Sequence, residues 1–235
     1  MDKVKNKNKI DKKKSNLCIG IDLTLKEDEK LNFALDLIDQ THEFAVAYKP
    51  NRQFWLGFTL DDMQQITNRI KKYDCISIMD HKLSDIGSTN KAALDWTKQE
   101  GFDYITVSPF PGNLRQTFEY GNQIGIGIIA LTWMSNPEYL WINQLNESII
   151  DMSSKYAHGI VVGTTSSVNS NVIRMISDVC DSQFVLAPGI GFQGGDHKFM
   201  STFFNKSIIF SVSRGISLAE NPYESAMEYY HLLNK

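Results

Sequence analysis

Eight short runs of apolar and β-branched residues recur along the chain. Each is separated from the next by a stretch with helical spacing, and this alternation constrains the fold more than any other feature. Strands are predicted over 16–23, 44–51, 75–83, 104–109, 125–133, 159–165, 184–191 and 207–216. Between and after them, helices are predicted over 26–41, 60–73, 89–100, 112–121, 143–156, 168–180, 196–204 and 218–233, several opened by Ser, Thr, Asp or Asn. Near-continuous apolar strands that alternate with helices form a parallel sheet covered on its outer face. Eight such units in a chain of 235 residues predict an α/β fold, a single (β/α)8 TIM barrel with its active site at the C-terminal ends of the strands. An open doubly wound sheet is the competitor. It uses fewer strands and does not explain why polar residues gather where nearly every strand ends.

Residues 15–235 are assigned to the barrel. With 42% hydrophobic residues the chain can fill one such core. Residues 1–14 hold seven lysines and two aspartates, a local charge of +5, without apolar periodicity; they are expected to form a flexible, solvated tail. Against a total of −3, that leaves −8 on the remainder, a balance that opposes wrapping along a nucleic-acid backbone. The first apolar run is short and carries Asp22, so neither a signal peptide nor a membrane span is predicted, and a cytoplasmic location is expected. Cys18, Cys75 and Cys180 are scattered and odd in number, as reduced core residues would be, and suggest neither a disulfide framework nor a zinc site.

The stretch Ile76-Ser77-Ile78-Met79-Asp80-His81-Lys82-Leu83-Ser84-Asp85-Ile86-Gly87-Ser88-Thr89 puts formal charges at the end of an apolar strand. Alternation along a strand sends Asp80 and Lys82 to the face that Ile78 shares. Burying such ions costs several kcal/mol each before their attraction is counted, which favours function over a structural ion pair. Other strand ends carry Asp22, Lys49 with Asn51, Ser108, Ser135 with Asn136, Thr164 with Thr165, and Ser213 with Arg214. Taken alone, Asp22 and Lys49 also read as a salt bridge between neighbouring strands; with Asp80 and Lys82 they make an alternating carboxylate and ammonium array.

A second motif, Ala187-Pro188-Gly189-Ile190-Gly191-Phe192-Gln193-Gly194-Gly195-Asp196, follows a strand and precedes a helix. Its glycines let backbone N–H groups approach an anion, and the loops after strands seven and eight are the usual phosphate site of a barrel. The G-x-G-x-x-G spelling lacks the acidic residue that a dinucleotide site needs about 20 residues later. Ser213-Arg214-Gly215 adds a guanidinium able to grip two phosphate oxygens; two tight turns and a surface arginine are the alternative.

Together these residues resemble the orotidine 5′-phosphate decarboxylase family, in the branch whose motif reads D-x-K-x-x-D-I-G-S/N-T. The resemblance runs through Cys18-Ile19-Gly20-Ile21-Asp22, Tyr48-Lys49-Pro50-Asn51, Asp80 to Thr89, Ser135-Asn136-Pro137, Val162-Gly163-Thr164-Thr165-Ser166, Pro188 to Gly195 and Ser211-Val212-Ser213-Arg214. It implies a cofactor-free, metal-free loss of CO2 from orotidine monophosphate to give uridine monophosphate at the end of pyrimidine synthesis. It assigns the C6 proton to Lys82, and to Asp80, Asp85 and Lys49 the tasks of holding Lys82 charged and in place. Asp22, Lys49 and Asn51 would meet the ribose, and Ser135 the base. Gln193, Arg214 and backbone groups of Gly194, Gly195 and Ser213 would bind the phosphate. The resemblance also implies a homodimer in which Asp85 and Thr89 reach the partner's site. Met134 stands where a small polar residue is usual, so a base contact is lost or supplied by backbone. Two rivals remain: a metal-dependent sugar-phosphate decarboxylase or aldolase of the same superfamily, and a non-catalytic nucleotide-binding barrel.

Overall fold

Strand β1 (Leu17–Ile21) is buried along its whole length, as a parallel strand with one face on a barrel interior and the other under helices must be. It pairs with β2 (Ala47–Pro50) on one side and with β8 (Ile208–Val212) on the other. Between them run β3 (Ile76–Leu83), β4 (Tyr104–Val107), β5 (Gly127–Trp133), β6 (Gly159–Val162) and β7 (Phe184–Pro188). Every neighbouring pair is parallel, and the eight strands close in sequence order into a barrel. This computed structural model describes residues 9, 12–134, 136, 146–164, 170–190, 195–204 and 208–234. Among them the predicted (β/α)8 architecture is present.

Among the described residues, eight helices of two or more turns cover the strands: α1 (Glu27–Thr41), α2 (Leu60–Lys72), α3 (Gly87–Gln99), α4 (Leu114–Ile124), α5 (Asn146–Tyr156), α6 (Ser170–Val179), α7 (His197–Phe204) and α8 (Pro222–Leu233). Their starts follow from local chemistry. Thr59 and Asp62 form a reciprocal capping box on α2, and Asn221 caps α8 just ahead of Pro222. A 3-10 turn, Arg52–Trp55, follows β2 and is opened by the Asn51 side chain.

Strand alternation divides the core into two layers. Cys18, Ala47, Ile78, Ile129, Val161, Leu186 and Ile209 fill the barrel interior, while Ile19, Tyr48, Met79, Ile105, Ile160 and Phe210 pack outward beneath the helices. The interior changes character along its axis. Tyr104 and Phe184 meet edge-on near the floor, with centroids 5.3 Å apart. The Tyr104 ring occupies the space that a Cβ on Gly127 would need. Aliphatic residues follow, and the upper layer is polar: Lys49, Asp80, Thr106 and Ser211. The three cysteines are buried and unpaired.

All eight strands are shorter than the apolar runs predicted, because flanking residues such as Phe44 and Ile190 are buried without extending the strands. The eighth run differs most: β8 stops at Val212, and Arg214–Ser217 forms a helical turn whose amides Ile216 N and Ser217 N donate to the Ser213 carbonyl, both at 2.9 Å. Three of the described lysines of the N-terminal segment touch the barrel floor. Lys9 Nζ donates to the Cys75 carbonyl at 3.2 Å, Lys12 Nζ lies 2.6 Å from Asp74 Oδ2, and Lys13 Nζ donates to the His42 carbonyl at 3.2 Å.

Candidate active site

The polar layer forms because the register of β1 to β3 sets their last inward-facing positions side by side. Gly20 pairs with Lys49, and Asn51 bridges to Asp80. Lys49 Nζ lies 2.5 Å from Asp80 Oδ2, and Lys82 Nζ lies 2.8 Å from Asp80 Oδ1. The Lys49 and Asp80 side chains are each 9% exposed, whereas that of Lys82 is 42% exposed. One carboxylate therefore serves two ammoniums, leaving the trio with a net positive charge. Burial alone would raise the Asp80 carboxyl, but Lys49 and then Lys82 outweigh it and hold the group well below the usual carboxylate range. Burial likewise opposes the Lys49 charge, and Asp80 with Asp22 overrides it, lifting Lys49 above the ordinary lysine range. Cys18, on the inner face of β1, is pushed up to about 12 by burial and is a thiol rather than a nucleophile.

Regular alternation does not by itself account for the position of Lys82. The β3 register against β4 shifts between Met79 and Leu83, and Lys82 stands at φ +54°. A left-handed backbone at a residue with a side chain costs about 1–3 kcal/mol and persists where the surroundings impose it. The Lys82 N–H is accepted by Thr106 Oγ1 at 2.9 Å.

Asp22 lies just past β1, where its Oδ2 accepts from Ser213 Oγ at 2.8 Å. A Cβ on Gly20 would sit 2.7 Å from the Ser213 Cβ, so only glycine lets the two strands approach closely enough for that bond. Asp22 Oδ1 is buried without a hydrogen-bond partner, an acceptor left open on the wall of the cavity.

These groups surround a cavity of about 270 Å3 at the C-terminal mouth of the barrel. Its wall includes Asp22, Lys49, Asn51, Asp80, Lys82, Ser213 and Arg214, which the strand-end pattern had singled out, together with Gly189 of the glycine-rich loop. Gly189, at φ +109°, accepts from the Gly195 N–H at 3.0 Å. Met134 also lines the cavity, as do Thr106, Ser211 and the apolar residues Leu131, Val161, Leu186 and Ile190. Apart from Met134, none of these was given a site role from the sequence. The inward phase of the strands could have indicated most of them: Thr106, Leu131 and Ser211 follow the inner-core residues Tyr104, Ile129 and Ile209 by two positions, and Val161 and Leu186 belong to the same inner layer.

Asp85, Thr89 and Ser108 do not line the cavity, and Asp85 and Thr89 are exposed. The Asp85 carbonyl accepts the side-chain amides of Asn90 at 2.6 Å and Asn113 at 2.7 Å, while its Oδ1 accepts the Ile86 N–H at 2.7 Å. Ser135, Thr165, Gln193 and Gly194 lie outside the described residues. Among the described residues, no group of three or more His, Cys, Asp or Glu is arranged to hold a metal, and no helix is long and apolar enough to cross a membrane.

Barrel and cavity together define a (β/α)8 enzyme with a buried carboxylate–ammonium array at its C-terminal mouth, beside a wall that includes Gly189 and Arg214. Residues 15–229 match the model of the orotidine 5′-phosphate decarboxylase / HUMPS family, and the chain belongs to that family. An orotidine 5′-phosphate decarboxylase from Pyrococcus abyssi is 32% identical over 199 residues, covering 84% of this chain and 91% of the relative. The one from Christiangramia forsetii is 30% identical over 210 residues, covering 78% and 76%. Leishmania donovani OMP decarboxylase shares the fold with a TM-score of 0.85 at 22% identity, across 100% of this chain and 98% of that structure.

Proposed function

We propose that this chain decarboxylates orotidine 5′-monophosphate to uridine 5′-monophosphate and CO2, the final step of de novo UMP synthesis. The observation that carries the reading is the Asp80 carboxylate clamped between Lys49 and Lys82 inside the barrel mouth. Breaking the bond from C6 to the carboxylate leaves an electron pair in an in-plane orbital that the pyrimidine ring cannot delocalise. A fixed positive charge beside C6 answers that need, and walls of low dielectric strengthen it. Lys82 is the member of the trio whose side chain is open to the cavity, 42% exposed against 9% for Lys49. It stabilises the pair on C6 and then transfers an Nζ proton to it, and solvent reprotonates the amine. Asp80, kept ionised by its two partners, faces the departing carboxylate and fixes the ammonium. Lys49 holds Asp80.

Asp22, with its open Oδ1, and Asn51 take the ribose hydroxyls. Arg214, with Ser213 and the glycine-rich loop that includes Gln193, Gly194 and Gly195, takes the phosphate. Ser135 takes the base edge beside Met134. The reaction uses neither cofactor nor metal. Asp85 and Thr89 complete the neighbouring site of a homodimer. Supporting this, both are exposed outside their own cavity, the Asp85 backbone is held by two asparagines, and the nearby Ile86 and Phe110 side chains are 59% and 61% exposed.

Following the absorbance of orotidine monophosphate with purified protein tests the proposal. Turnover that is unchanged in excess EDTA is expected. Loss of turnover in EDTA with recovery in Mg2+ would favour the metal-dependent barrel enzymes instead.

A further inference from the structure

Strand β3 takes four steps where β4 takes two. Met79 pairs with Ile105 and Leu83 with Val107, so Asp80, His81 and Lys82 all stand opposite the single residue Thr106. A bulge of this kind strips ladder groups of backbone partners and turns side chains away from regular alternation. Thr106, only 1% exposed, answers both effects. Its Oγ1 accepts the Lys82 backbone N–H at 2.9 Å and donates to Asp80 Oδ1 at 3.0 Å. That oxygen also receives Lys82 Nζ at 2.8 Å. One hydroxyl, using its single proton and a lone pair, thus closes a ring that ties the backbone of Lys82 to its own ammonium through Asp80.

The geometry points to Thr106 as a positioning residue for the decarboxylation: its hydroxyl fastens the β3 bulge, holds Lys82 in the left-handed conformation and orients Asp80. This rests on the reading that Lys82 delivers the C6 proton. Without the hydroxyl, a partly buried N–H loses the acceptor that fastens it where Lys82 stands at φ +54°. The ammonium would then sample several heights in the cavity, and small misplacements of a reacting group are costly to rate.

The test compares wild type with Thr106→Val, which keeps the shape and removes the hydroxyl, and Thr106→Ser, which keeps the hydroxyl. Thr106→Val is expected to lower kcat by about tenfold or more with KM within about threefold, and Thr106→Ser to stay within about threefold of wild type in both. Amide hydrogen exchange supplies a readout independent of turnover. The Lys82 N–H should exchange about tenfold faster in Thr106→Val but not in Thr106→Ser, while the Ile128 and Leu186 amides elsewhere in the barrel stay unchanged. Equal damage from both substitutions, a change confined to KM, or an unaltered Lys82 amide in Thr106→Val would overturn the proposal. If Thr106→Val does not fold, Thr106→Ala removes the same hydroxyl without added bulk and carries the comparison. Wild-type protein that leaves orotidine monophosphate untouched would refute the function, and the exchange of the Lys82 amide would still decide whether Thr106 fastens the bulge.

Discussion

Lys49 and Asp80 form an ion pair of 2.5 Å at the barrel mouth, with each side chain 9% exposed. Its sealed position makes it a determinant of stability as well as of chemistry. Removing one member of a buried pair strands the other, whereas an exposed pair contributes little.

The pH dependence follows from the signs. The folded-state carboxyl of Asp80 lies below its unfolded value, so its contribution is present above about pH 4 and is lost as pH falls toward the folded value. The Lys49 ammonium lies above its unfolded value, so its contribution is complete below about pH 10 and fades only above it. Between those limits the pair is on a plateau. Urea unfolding at pH 5, 4 and 3 should show wild type losing about 1.4 kcal/mol more per pH unit below pH 4 than Asp80→Asn. Parallel curves for the two proteins would mean that Asp80 is not held ionised by its neighbours.

Arg214 lines the cavity at the start of the helical turn that follows β8, and because it is the proposed phosphate ligand, its loss should register through the phosphate. Arg214→Ala is expected to lower kcat/KM for orotidine monophosphate by about 10²-fold, as the loss of charge-assisted hydrogen bonds would. Turnover of the nucleoside orotidine should change by no more than about threefold. Equal slowing of both substrates would make Arg214 a structural residue.

Composite sites in a homodimer predict complementation. Lys82→Ala and Asp85→Ala should each be nearly inactive as pure proteins. After co-refolding, each mixed dimer carries both lesions in one site and none in the other, so random assortment restores about a quarter of wild-type activity. Mixed dimers that are confirmed by mass and remain inactive would place Asp85 in its own subunit's site.

The barrel itself was legible because parallel strands must be apolar on both faces, and eight such runs admit few other closures. The strand ends were less so. Ser213-Arg214-Gly215-Ile216 was included in the eighth strand, yet the Ser213 carbonyl gathers the amides of Ile216 and Ser217 and starts a helical turn. Asp80 and Lys82 meet as the D-x-K spacing predicts, but through a bulge that alternation cannot reveal. Thr106 drew no notice because a threonine between isoleucine and valine is ordinary strand sequence; its meaning depends on what lies across from it. The bond from Ser213 to Asp22 spans 191 positions and exists only once the barrel closes.

The central claim is that Lys82 supplies both the stabilising charge and the proton at C6. The most direct measurement is the rate of UMP formation from orotidine monophosphate by wild type and Lys82→Ala, with the variant shown by circular dichroism to be folded. A fall of about 10³-fold or more is predicted, since proton delivery and electrostatic stabilisation leave together. A folded Lys82→Ala protein that turned over within about tenfold of wild type would contradict it.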